Sequence, residues 1–173
     1  MDVRYINPFI ESTQRVFKTM LDLDVSFNKP RVVKEIGRHD VSGIIGMSGD
    51  VVGSVVLSFS TSTSRQIIGR FVGADIAPDH EDFADAVGEL VNMISGAAKS
   101  QFEGQNVSIS CPSVVVGESH TVAMPSDSVC ITIPCEVFCG SFNIDVAIRS
   151  EAAKAARVDN SNSVPVQSAR KSA

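Results

Sequence analysis

The residues best able to do chemistry in this chain are Glu89 and Asn92, within the segment Asp85-Ala86-Val87-Gly88-Glu89-Leu90-Val91-Asn92-Met93-Ile94-Ser95-Gly96-Ala97-Ala98. They stand at i and i+3, so on a helix their side chains leave neighbouring positions of one face. Asp85, four residues before Glu89, lies close to the same line. A carboxylate offers charged acceptors to a cationic group, and an amide offers a donor and an acceptor without charge. The same spacing also describes a solvated face opposite an apolar stripe of Phe83, Val87, Leu90 and Ile94. Gly88, Ser95, Gly96, Ala97 and Ala98 thin the surface of this helix. An interior glycine costs about 1 kcal/mol against alanine, so close approach by another backbone is the expected compensation. That backbone could belong to a partner or to the protein's own sheet.

Other chemistry-bearing residues form no pattern. His39, His80 and His120 are scattered, and His39 and His120 fall in expected turns, where a surface role is the plain reading. Cys111, Cys130, Cys135 and Cys139 make no C-x2-C pair and have no histidine at metal-finger spacing. They read as small apolar residues on buried strands. No serine has a G-x-S-x-G setting, and no G-x4-G-K-[ST] loop is present.

The elements that must position Glu89 and Asn92 follow from periodicity. Apolar residues recur at helical spacing from about residue 80 to about 103, after Pro78 and before Gly104. An earlier amphipathic helix is expected over about 8–22, opened by Pro8, and a short one over 65–71. Strand-like runs cover 31–36, 41–47, 51–59, 107–116, 128–134 and 140–148. A short helical stretch is expected at about 151–156, and 157–173 reads as a polar, disordered tail. The halves echo each other: Pro30-Arg31-Val32-Val33 matches Pro112-Ser113-Val114-Val115, and Gly53-Ser54 matches Gly140-Ser141. Two pseudo-repeated αβββ units are expected to join their strands into one mixed or antiparallel sheet with the long helices packed on it. The domain is taken as residues 1–156.

Composition bounds the function. The 173 residues are 43% hydrophobic and 20% charged, with a formal net charge of −5. No basic patch suits nucleic acid or an anionic membrane, and with no Trp and one Tyr, base stacking has little to work with. No apolar run approaches the ~20 residues of a membrane span, and the opening segment lacks the features of a signal peptide. The expected location is the cytoplasm.

Asp85-x3-Glu89-x2-Asn92 resembles the [DS]-x3-E-x2-N signature of the CheC/CheX/FliY phosphatases of bacterial chemotaxis. Cys111-Pro112-Ser113-Val114-Val115-Val116-Gly117 resembles the proline-led strand that follows it in that family. The opening Tyr5-Ile6-Asn7-Pro8-Phe9-Ile10 is similar to the start of the branch with one signature rather than two. The first helix offers only Glu11-x2-Gln14, with Asn7 where an Asp or Ser would stand, and is read as packing and surface.

The resemblance implies an α/β fold with pseudo-twofold halves, a homodimer joined through its sheets, and hydrolysis of the aspartyl-phosphate on the response regulator CheY. It implies that Asn92 places the attacking water, that Glu89 pairs with the regulator's active-site lysine, and that Asp85 supports binding. No cofactor is expected in this chain, since the Mg²⁺ would be held by the regulator. The alternative is a docking or scaffolding module that kept the fold without turnover. A flagellar-switch component like FliM or FliN fits less well, because such proteins usually carry further domains.

Overall fold

The computed structural model describes residues 5–125 and 127–149, so the expected stretch at 151–156 and the tail at 157–173 lie outside the described residues. Eleven elements follow in order: α1 (Asn7–Leu21), β1 (Ser26–Phe27), β2 (Arg31–Val33), β3 (His39–Gly49), β4 (Gly53–Phe59), α2 (Thr61–Val72), α3 (Glu81–Lys99), β5 (Val107–Ile109), β6 (Ser113–His120), β7 (Ser128–Val137) and β8 (Gly140–Arg149). Among the described residues they form one antiparallel sheet of eight strands and three helices.

The sheet runs β1-β7-β8-β4-β3-β5, with β2 also on β7 and β6 also on β3. The repeat inferred from the two proline-led runs is therefore real, and it is closed by exchange. β2 of the first half pairs with β7 of the second, and β6 of the second pairs with β3 of the first. β4 and β8 meet at the centre, Val55 opposite Val146 and Leu57 opposite Ile144. Each half also holds a short strand that alternation is too brief to reveal, β1 in the first and β5 in the second. The echo of Gly53 and Gly140 has a steric cause. A Cβ at Gly53 would meet the Ala147 carbonyl oxygen, and one at Gly140 would meet the Thr63 hydroxyl.

The expected single strand over 107–116 is divided. Pro112 has no N–H to give to a ladder, and both β5 and β6 pair with β3 on either side of the break. Ser110 fills the gap: its N–H donates to the Gly46 carbonyl at 2.9 Å, and its hydroxyl accepts from the Gly46 N–H at 3.0 Å. α2 begins four residues before the expected 65. Ser60 caps it through the Thr63 N–H at 3.2 Å, and Asp40 Oδ2 accepts from the Thr61 N–H at 2.9 Å. The Thr61 N–H, the Ser119 N–H and the Thr61 hydroxyl together hold the Asp40 carboxyl below its usual range.

The helices cover one face of the sheet. Phe9, Phe17, Phe59, Phe83, Ile45, Leu57, Leu90, Ile94, Ile133 and Ile144 are fully buried between the layers, and Phe17 stacks on Phe142 at 4.9 Å. On the opposite face a smaller core of Ile36, Val56, Cys130 and Ala147 is joined by Val33, Ile44, Val122 and Met124. Asp145 is fully buried on this second face. Its Oδ1 accepts from the Thr132 hydroxyl at 2.5 Å, while Oδ2 is buried and has no partner. Burial pushes its carboxyl up to about 6, against the opposing pull of the Thr132 hydrogen bond and of Arg31.

Two expectations about single residues are corrected here. His39 and His120 stand in strands rather than turns, opposite each other across β3 and β6. His120 Nε2 lies 2.9 Å from the Ser42 hydroxyl and Nδ1 lies 2.8 Å from the Gly117 carbonyl oxygen. Burial, with His120 nearby, lowers the His39 pKa. Of the cysteines, only Cys130 and Cys135 are buried; Cys111 is exposed and Cys139 half-buried. Burial raises the thiols of Cys130 to about 11 and Cys135 to about 12, which keeps both as inert thiols.

Candidate functional site

α3 starts where Pro78 has ended the preceding segment. His80 caps it, with Nδ1 accepting from the Asp82 N–H at 3.2 Å. Glu81 and Asp82 in the first turn complement the positive end of the helix dipole. Phe83, Ala86, Val87, Leu90, Val91, Ile94 and Ala98 turn inward. The outward line is Asp85, Glu89, Asn92 and Gly96. At 3.6 residues per turn these four positions fall within an arc of about 60°. Asp85 and Glu89 are exposed, and Asn92 and Gly96 are half-buried. The structure thus brings together the three residues singled out by sequence.

Two glycines seat the helix. Gly43 of β3 has no side chain, and a Cβ there would lie 3.0 Å from Val91 Cγ1 and 3.3 Å from Val87 Cγ1. Gly88 does the same towards β6, where a Cβ would lie 3.3 Å from Pro112 Cγ and 3.5 Å from Val114 Cγ2. What approaches Gly88 is therefore the protein's own sheet, through the side chains of Pro112 and Val114 rather than through a backbone. Gly88 is next to Glu89, and Val91 is next to Asn92, so each seating contact acts one residue away from a member of the pair. Sequence reasoning found Gly88 but missed Gly43, because a glycine inside the valine- and isoleucine-rich run of β3 carries no period of its own.

The pair is free to act outward. Among the described residues, Asp85, Glu89 and Asn92 have no hydrogen-bond or ion-pair partner within the chain. None of them lines the described clefts. One of those, about 400 Å³, is formed by Tyr5, Asn7, Pro8 and residues 101–103 with Gln105. An outward-facing carboxylate and amide, both without a partner in the chain, fit a reaction in which a larger partner supplies the rest of the site. No group of three or more His, Cys, Asp or Glu is placed to hold a metal ion among the described residues. Among the described residues, no helix is long and apolar enough to cross a membrane.

On α1, the symmetry counterpart of α3, Glu11 and Gln14 are both exposed, as are Asn7 and Arg15. Glu11 and Gln14 keep the spacing of Glu89 and Asn92, with one more methylene before the amide.

Comparison with known proteins places this arrangement. Residues 41–136 match the family model described as Chemotaxis phosphatase CheX. The CheY-P phosphatase CheX of Thermotoga maritima is 30% identical over 155 residues, spanning 87% of this chain and 99% of that protein. The crystal structure of a CheC-like superfamily protein from Shewanella sp. PV-4 superposes with a TM-score of 0.80 at 34% identity, covering 87% of this chain and 100% of that one. The chemotaxis protein CheX from Desulfovibrio desulfuricans gives a TM-score of 0.79 at 30% identity, covering 84% and 99%. The fold, the matched segment that contains α3 and the near-complete coverage of these relatives agree: the chain belongs to the CheX family of chemotaxis phosphatases.

Proposed function

We propose that this protein hydrolyses the aspartyl-phosphate of a CheY-type response regulator, with Asn92 positioning the water and Glu89 engaging the regulator. The observation that carries the reading is the unpartnered Glu89–Asn92 pair on the outward line of α3, in a chain that spans 99% of a CheY-P phosphatase at 30% identity. An acyl phosphate is already reactive, so what a second protein can add is placement of a water in line with phosphorus. The Asn92 carbonyl oxygen can accept from that water without bringing charge to the phosphoryl group. A carboxylate in its place would add like-charge repulsion. Glu89 suits a different task, a charge-assisted bond to a lysine at the rim of the regulator's site. Asp85 extends that contact by one turn. The metal in this scheme is Mg²⁺ on the regulator's own carboxylates, and this chain contributes no ligand to it.

A CheY-type regulator phosphorylated at its aspartate should lose phosphate faster when the protein is added, in proportion to its concentration. Unchanged decay with measurable binding would replace the enzyme by a docking module. Such a partner also sets the expected location in the cytoplasm.

The sheet edge supports a homodimer as part of the same reading. β6 has no strand on its outer side among the described residues, and Val115 and Val116 are 38% and 42% exposed. An open apolar edge is a template for pairing with a second strand. Light scattering at micromolar concentration should return twice the 18.4 kDa chain mass. A monomer mass would remove the dimer from the proposal.

A further inference from the structure

We infer that Gly96 is a specificity-determining residue, keeping the approach to Asn92 open for the partner's backbone; this rests on the phosphatase reading above. The helix contains two glycines, and the structure treats them differently. The missing side chain of Gly88 is filled by Pro112 and Val114. At Gly96 an added Cβ would meet nothing within 4 Å. Nothing inside the chain requires a glycine there, so its helix penalty is uncompensated in the free protein.

Its place on the helix says what the space is for. Gly96 is four residues after Asn92 and belongs to the same outward line as Asp85 and Glu89. Helical side chains lean towards the N-terminus, so a residue covers the turn before its own Cα. A side chain at 96 would therefore lie over the turn that starts at Asn92. With glycine, the C-terminal shoulder of the Asn92 amide is bare backbone, half-buried but unobstructed. A regulator loop carrying the aspartyl-phosphate can then come down onto α3 far enough for the amide and the phosphoryl group to share one water.

The test compares wild type, Gly96→Ala and Gly96→Gln by three readouts: melting temperature, Michaelis parameters on the phosphorylated regulator, and affinity for the Mg²⁺–beryllofluoride form of that regulator. Gly96→Ala should melt a few degrees higher, because a helical glycine is replaced at an open position. It should nonetheless raise KM and Kd by about tenfold, the cost of one methyl group in a close contact. Gly96→Gln should lower kcat/KM by about 100-fold, as misplacement by roughly an ångström does, without lowering the melting temperature. Variants that melt higher but keep wild-type KM and Kd would overturn the inference while leaving the phosphatase reading intact. A wild type that neither binds nor accelerates decay would overturn both.

Discussion

Asn92→Ala is expected to lower the protein-catalysed dephosphorylation of a phosphorylated CheY-type regulator by about 100-fold or more, the usual loss when one positioned hydrogen-bonding group is removed from a reacting centre. The fold should be untouched, since the Asn92 side chain has no partner within the described chain and alanine is the better helix former. The affinity for the regulator should change little, because the amide acts on the water rather than on the partner. Asn92→Asp is the sharper variant. It keeps the size and the acceptor oxygen but adds a negative charge beside the phosphoryl group, so it should be no more active than alanine. Glu89→Ala should separate from both by raising KM, by about 10- to 100-fold for a lost charge-assisted bond. Full activity in Asn92→Ala would take the water-positioning role away from this residue. An Asn92→Asp variant as fast as wild type would show that charge at this position is irrelevant to the step.

The second large effect concerns stability. Asp145 has a folded-state pKa raised to about 6 from 3.8, chiefly by burial. The native state therefore holds this proton where the unfolded chain has released it. The resulting stability is fully present below pH 3.8 and is lost as pH rises through 6. Over that interval the contribution falls by about 3 kcal/mol, at 1.36 kcal/mol per unit. His39 works in the opposite sense, since its lowered pKa costs stability as pH falls below 6.5. The comparison must therefore be of variant against wild type at each pH. Asp145→Asn keeps an acceptor for the Thr132 hydroxyl but cannot ionise. Its stability relative to wild type, from urea unfolding, should improve by about 2.5 kcal/mol between pH 4 and pH 8. The titratable groups near Asp145 are Arg31 from β2, which stays charged, and the thiols of Cys130 and Cys135 from β7, which stay neutral across this range. A difference that does not move with pH would mean that Asp145 is ionised in the native state throughout.

Most of what positions the site was legible in the sequence, and the reasons differ by element. α3 announced itself through an apolar stripe several turns long, and the residues opposite that stripe had to face outward. The repeat was visible because glycine and proline mark backbone events that no other residue can serve. The exchange of β2 and β6 between halves was not visible, since pairing partners across a hundred residues leave no local trace. Asp145 was hidden for a related reason. In Phe142-Asn143-Ile144-Asp145-Val146 it occupies the polar phase of an alternating strand and reads as solvent-facing. Its burial comes from the second face being covered, where Ile36, Val56, Cys130 and Ala147 form a core joined by Val33, Val122 and Met124. The short strands β1 and β5, of two and three residues, are below the length at which alternation means anything.

The strand exchange also decides how the molecule comes apart. β3 cannot complete its outer ladder until β6 has been made, and β7 waits on β2, so neither half is a finished folding unit. α3 rests on Gly43 from one half and Pro112 from the other. Despite the internal duplication, unfolding should be a single cooperative event with no stable half-molecule, and the surface bearing Glu89 and Asn92 should vanish at the same denaturant concentration as the sheet beneath it. The site carries no independent stability: it is as rigid as the least stable strand crossing between the halves allows.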